Sequence, residues 1–123
     1  MKIVQGLLIV LLSLISFSCD MDDSEITFHN SHEPKRQNTP FSDAVETDDL
    51  LFLSGQIGRD HKKGYLVQGG IQEQTRQVIE NIKDVLHHHN SELGKVVKCT
   101  VILKNIDDFA AFNEVYVQYF TNK

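Results

Sequence analysis

Ser54, Gly55 and Gln56 stand together directly after the apolar run Leu50-Leu51-Phe52-Leu53. A hydroxyl, a bare backbone and a carboxamide at such a junction supply donors and acceptors that can orient a small polar ligand. Gly55 and Gly58 permit positive φ or close approach of a second backbone, which brings N–H groups within a ligand's reach. The four apolar residues before them read as a strand buried on both faces. The same stretch also reads as an ordinary strand-to-turn exit, so these residues alone leave two readings standing.

Other chemistry-bearing groups carry less. His87-His88-His89 would lie on a helix, where consecutive side chains point about 100° apart and do not converge on one ion. They read as a solvated helix end, and no metal ligand set is assigned. The glycines lack the context of a phosphate loop. Of two cysteines, Cys99 alternates with apolar residues and reads as a small buried thiol, and no disulfide framework is available.

The chain has 123 residues, 41% apolar and 24% charged, which suits one globular domain. Residues 1–18 read as a signal peptide: Met1-Lys2 gives a positive start, and Ile3 to Phe17 is largely apolar but short for a membrane span. The stretch Ile15-Ser16-Phe17-Ser18-Cys19 resembles a lipobox, with Ser16 where Leu is usual. On that reading Cys19 is the lipidated first residue of an exported bacterial lipoprotein, and membrane contact is through the lipid alone. A conventional cleaved leader or an uncleaved anchor is the alternative. Removing residues 1–18, which hold Lys2 and no acid, leaves 11 basic against 17 acidic residues and takes the formal charge from −5 to −6. Nucleic acid is therefore not the expected partner. Asp20-Met21-Asp22-Asp23-Ser24-Glu25 reads either as an outer-membrane sorting signal or as a solvated spacer, and residues 19–39 as an acidic, polar tether.

The elements that would position the signature follow in order. Phe41 to Val45 reads as a short strand, paired as a hairpin with Leu50 to Leu53 across Glu46-Thr47-Asp48-Asp49. Tyr65-Leu66-Val67 is a further short strand. Val78, Ile79, Ile82, Val85 and Leu86 form one stripe of an amphipathic helix running from Ile71 to about His89. Val96 to Leu103 reads as a strand with Val97, Cys99, Val101 and Leu103 on its dry face. Asp107 or Asp108 would cap a second helix with an aromatic inner stripe of Phe109, Phe112, Tyr116, Tyr119 and Phe120.

With these pieces in hand, residues 40–123 resemble the RidA family, also called the YjgF family, of imine and enamine deaminases. Pro40-Phe41-Ser42-Asp43-Ala44-Val45 is similar to the family's Pro-Tyr-Ser-x-Ala-Val entry segment, and Leu53-Ser54-Gly55-Gln56-Ile57 reproduces its Ser-Gly-Gln signature. Gln74-Thr75-Arg76-Gln77, Asn81-Ile82, Val97 to Val101, Asp108-Phe109, Asn113 to Tyr116 and Tyr119-Phe120 match in register.

The resemblance implies a chorismate-mutase-like α+β fold: a mixed sheet with two helices on one face, assembling as a homotrimer with sites between subunits. It implies hydrolysis of 2-imino or 2-enamino acids to 2-keto acids and ammonia, with no cofactor. An imine carbon is already electrophilic, so the protein need only orient the substrate, place a water and stabilise charge.

Carried over by residue, the resemblance puts Phe41, Ser54, Gly55, Gln56 and Asn113 at the substrate site, Phe41 having lost the hydroxyl of the usual Tyr. The family's substrate-gripping Arg lies in a Pro-x-Arg-Ser-like segment past the second helix and its water-orienting Glu on the last strand. These 123 residues contain neither, so no catalytic residue is assigned. The expectation is a domain lacking its last strands, either a fragment of a longer deaminase with impaired turnover or a non-catalytic binding module. The arginines Arg36, Arg59 and Arg76 fall in the tether, a loop and a helix.

Overall fold

The computed structural model describes residues 25–121, so the leader, Cys19 and the acidic segment behind it lie outside the described residues. The strands are β1 (Ile26–His29), β2 (Ala44–Thr47), β3 (Leu50–Leu53), β4 (Arg59–Asp60) and β5 (Tyr65–Leu66). The helices are α1 (Gly70–His88) and α2 (Phe109–Tyr119). β1, β2 and β3 form an antiparallel sheet in that order, and β4 and β5 form a separate two-stranded ribbon. This is the α+β class expected, although every strand pairing among the described residues is antiparallel rather than mixed.

The sheet has two unlike faces. Ala44 on β2, fully buried, marks the inner face, and Ile79, Val85 and Leu86 of α1 with Phe112 and Val115 of α2 complete the core. Each such side chain contributes roughly 1.5–3 kcal/mol on burial. The other face aligns Ile26 with Thr47 and Leu50, and Phe28 with Val45 and Phe52. Ile26, Phe28, Leu50 and Phe52 on it are all exposed. β3 is therefore not buried on both faces: its alternate residues Leu50 and Phe52 face away from the helices and nothing described covers them.

Four further expectations are corrected. Residues 19–39 are not wholly a tether, because Ile26–His29 pairs with β2 and Pro34–Arg36 forms a 3-10 turn. Phe28 and Ile26 supply the alternation a strand needs, which the surrounding polar residues obscured. The first hairpin strand begins at Ala44 rather than Phe41, since Pro40 and the bend at Ser42 precede it. Val96 to Leu103 has no strand partner among the described residues, so its apolar residues stay bare, Val97 at 87% and Ile102 at 91% exposure. Cys99 is likewise exposed rather than a buried thiol.

The helices form much as their patterns require. α1 follows the left-handed Gly69 and ends at His88, with Asn90 at φ 55 beyond it. α2 is entered through a 3-10 turn, Ile106–Asp108, whose cap is the Asn105 side chain accepting from the Asp107 N–H; Asp108 takes the N-cap position of α2 itself, as expected, without a side-chain hydrogen bond. The aromatic stripe is continuous: the Phe112, Tyr116 and Phe120 rings follow at 5.2 and 4.5 Å. None of the described helices is long and apolar enough to cross a membrane.

One ion pair binds the segment before β2 to the sheet. Arg36 Nη2 donates to Asp43 Oδ1 at 2.7 Å, and Asp43 is only 1% exposed. Breaking a buried pair by removing one partner leaves an uncompensated charge and costs about 3–5 kcal/mol. Arg36→Met is expected to lower unfolding free energy in urea by about 3 kcal/mol, with much of it regained in Arg36→Met/Asp43→Leu. A single-variant loss below about 1 kcal/mol would show that the pair contributes little.

Candidate functional site

The Ser-Gly-Gln exit is held from three sides. The Ser54 N–H donates to the Asp43 carbonyl at 2.9 Å, and the Asp43 N–H donates to the His29 carbonyl at 2.9 Å, so the ladder of all three strands continues one residue beyond the sheet. The Arg36–Asp43 pair therefore sits beside Ser54. Beyond the signature, Gly58 lies against α1: a Cβ there would stand 2.8 Å from the Gln74 Cα, closer than packing allows. The expected close backbone approach is thus at Gly58. Gly55 has nothing within 4 Å of the corresponding position, so open space lies above its backbone.

α1 grips the same loop through one amide. Asn81 Nδ2 donates to the Ile57 carbonyl at 3.1 Å and the Arg59 carbonyl at 2.9 Å, while its Oδ1 accepts from Gln77 Nε2 at 2.9 Å. Asn81 is buried, and the Ile57 carbonyl accepts from the Arg59 N–H at 2.7 Å as well, so the amide and the loop backbone share one small hydrogen-bonded cluster. Sequence reasoning matched Asn81 only as part of a helix segment. The available signal was a carboxamide beside the apolar stripe Val78, Ile82 and Val85.

The signature itself is polar, shielded and unpartnered. Ser54 Oγ and Gln56 Nε2 have no hydrogen-bond partner among the described residues, nor does Asp43 Oδ2. Such groups are unfavourable unless something supplies the missing bond. Phe41 is exposed before β2, and Asn113 is exposed on α2. The two principal clefts are lined by other residues: one by Glu46, Asp48, Asp49 and the α1 end, the other by His32, Glu33, His61 and Asp84 among others. None of the five expected site residues lines either of these two clefts.

The arginines are already engaged or turned elsewhere. Arg36 holds Asp43 and approaches His61 Nε2 at 3.3 Å, and Arg76 Nη1 pairs with Glu73 at 2.6 Å along α1. The Arg59 guanidinium lies over the β4–β5 turn, 3.9 Å from a Cβ position on Gly64. Burial, then the Arg36 charge, pushes the His61 imidazole below its usual range, so it accepts from Arg36 in its neutral form. Burial followed by the neighbouring Cys99 raises the Tyr116 hydroxyl.

A three-stranded antiparallel sheet on two helices, with a Ser-Gly-Gln exit pinned by a helix amide, defines a small α+β domain with a polar strand-end site. The Endoribonuclease L-PSP family model matches residues 31–123, and the chain belongs to that family, which includes RidA and YjgF. The chain is 49% identical over 81 residues to a RutC family protein of Pyrococcus horikoshii, covering 66% of this chain and 64% of the relative. It is 43% identical over 81 residues to the human 2-iminobutanoate/2-iminopropanoate deaminase, covering 66% of this chain and 59% of the relative. The crystal structure of E. coli TdcF with bound serine aligns with a TM-score of 0.64 at 32% identity, covering 68% of this chain and 65% of that one. The chain thus spans less than two thirds of the length of these curated relatives.

Asn81→Ala would take one of two donors from the Ile57 carbonyl, which also accepts from the Arg59 N–H at 2.7 Å, and would remove the Asn81 donor from the Arg59 carbonyl, a lost bond costing about 1–3 kcal/mol. The expected result is a loss of at least about 2 kcal/mol in urea unfolding, with faster amide exchange at Gly58 and Arg59. Unchanged exchange at those two amides would mean that Asn81 does not hold the loop.

Proposed function

We propose that this domain serves hydrolysis of small 2-imino or 2-enamino acids to 2-keto acids and ammonia, with Ser54, Gly55 and Gln56 as one wall of the substrate site. The observation that carries the reading is the pair of shielded, unpartnered groups, Ser54 Oγ and Gln56 Nε2, on the residues either side of Gly55. A small zwitterion or its imine carries the acceptors and donors that such a wall lacks. Deaminase relatives and a serine-bound structure in the same family support the ligand class. The acidic balance, formally −5, speaks against RNA as substrate despite the family's name.

Within the 123 residues, no Pro-x-Arg-Ser segment is present, and Arg36 and Arg76 are paired to carboxylates. In this proposal turnover needs a bidentate guanidinium grip on the substrate carboxylate, and neither Arg36 nor Arg76 is free to give it. The 1–123 chain is expected to release no ammonia from freshly generated 2-iminobutanoate above the spontaneous rate, while L-serine shifts the backbone amide resonances of Ser54 to Gly58. Absence of those shifts would remove the site from the signature. Turnover abolished by Ser54→Ala would overturn the account of the missing grip.

The site is shared between copies of the chain in this proposal. Phe41 and Asn113 are exposed, and the sheet face with Ile26, Phe28, Leu50 and Phe52 is apolar and bare. A homotrimer packed through these faces would cover it and complete the wall. Sedimentation is expected to show trimers that dissociate in Phe52→Glu. A monomer at tens of micromolar chain would exclude the shared site.

A further inference from the structure

The second cleft brings together ligating groups from two parts of the chain that the function above does not use. His32 and Glu33 come from the segment joining β1 to the 3-10 turn, and Asp84 from the outer face of α1. One ligand atom from each lies within 4.8 Å of the other two. His32 Nε2 and Asp84 Oδ2 are in contact at 2.8 Å, across 52 positions of sequence. The Glu33 carboxylate makes no hydrogen bond or ion pair among the described residues although the residue is half-buried. We propose that His32, Glu33 and Asp84 bind a first-row divalent cation, with Zn2+ the best match to one imidazole and two carboxylates.

The geometry is close to what such an ion needs. With bonds of about 2.0–2.1 Å, two ligand atoms on a tetrahedral ion stand about 3.3 Å apart. The His32–Asp84 contact then opens by roughly half an ångström, a side-chain adjustment, and the Glu33 carboxylate turns inward. The imidazole is held for it: His88 stacks on His32 at 4.4 Å and 19°. The segment is held too, since the Glu33 N–H donates to the buried Ser31 Oγ at 3.3 Å and the Glu33 carbonyl accepts from the Arg36 N–H at 2.9 Å. Lys35 and Lys62 also line the cleft, but both are exposed and their flexible stems carry the ammonium groups out to water. A bound ion would tie the β1 end of the sheet to the last turns of α1, and water would complete its coordination.

The His87-His88-His89 run is a separate and looser source of metal affinity, and the experiment must distinguish it from this site. Zn2+ is titrated calorimetrically into the full 123-residue chain without an affinity tag, and into His32→Gln, Asp84→Asn and His87→Gln/His89→Gln chains. The expected result is one ion per chain, at least tenfold weaker in His32→Gln and Asp84→Asn and unchanged in the His87/His89 variant. Because Asp84 is exposed, Asp84→Asn preserves the fold, which circular dichroism verifies. No Zn2+ binding by the parent chain, equal affinity in Asp84→Asn, or a loss confined to the His87/His89 variant would each overturn the proposal.

Discussion

One buried amide fixes where the strand exit lies. Asn81 faces the loop after Ser-Gly-Gln from the middle of α1 and satisfies the Ile57 and Arg59 carbonyls together. A strand leaving a sheet exposes main-chain carbonyls that must find donors, and here one helix side chain donates to two of them while the Arg59 N–H also donates to Ile57. The bare Cα of Gly58 lets the loop come close enough to Gln74 for this to happen. Helix packing therefore restrains the loop that follows Ser54, Gly55 and Gln56.

A second constraint acts from the opposite side. The Arg36–Asp43 pair ties the segment after β1 to the residue beside Ser54, and it does so in a nearly dry setting. The two restraints bracket the signature, one by hydrogen bonds from a neutral amide and one by charge. Between them the shielded Ser54 hydroxyl and Gln56 amide are left without partners. The neighbouring carbonyls are paired while these shielded groups are not, so unfavourable polar burial is concentrated at the signature.

The same separation of faces explains the bare apolar surface. The helices cover one side of the sheet and leave Phe28 and Phe52 on the other, aligned through Val45. Val96 to Leu103 likewise has strand character in its sequence but no partner among the described residues. β-propensity reflects packing against neighbours more than a backbone preference, so an apolar alternation without a neighbour does not make a ladder.

The sequence by itself determined the elements whose signal is local. The α1 stripe from Val78 to Leu86 specifies a helix within a residue or two of its observed ends, and the aromatic spacing of α2 does the same, because a 3.6-residue period is written into consecutive positions. The Leu50–Leu53 strand and the family signature were equally legible, while the leader and Cys19 rest on sequence pattern alone. Only the tertiary structure decided that Ile26–His29 is a strand, that Arg36 belongs to a buried pair, and that Asn81 braces the site. Each depends on a partner between seven and about two dozen residues away, and nothing local in the chain encodes which polar group will meet which. The structure also decided that Phe41 and Asn113 are exposed while Ser54 and Gln56 carry shielded polar atoms, since the matching of motifs records order along the sequence and not burial.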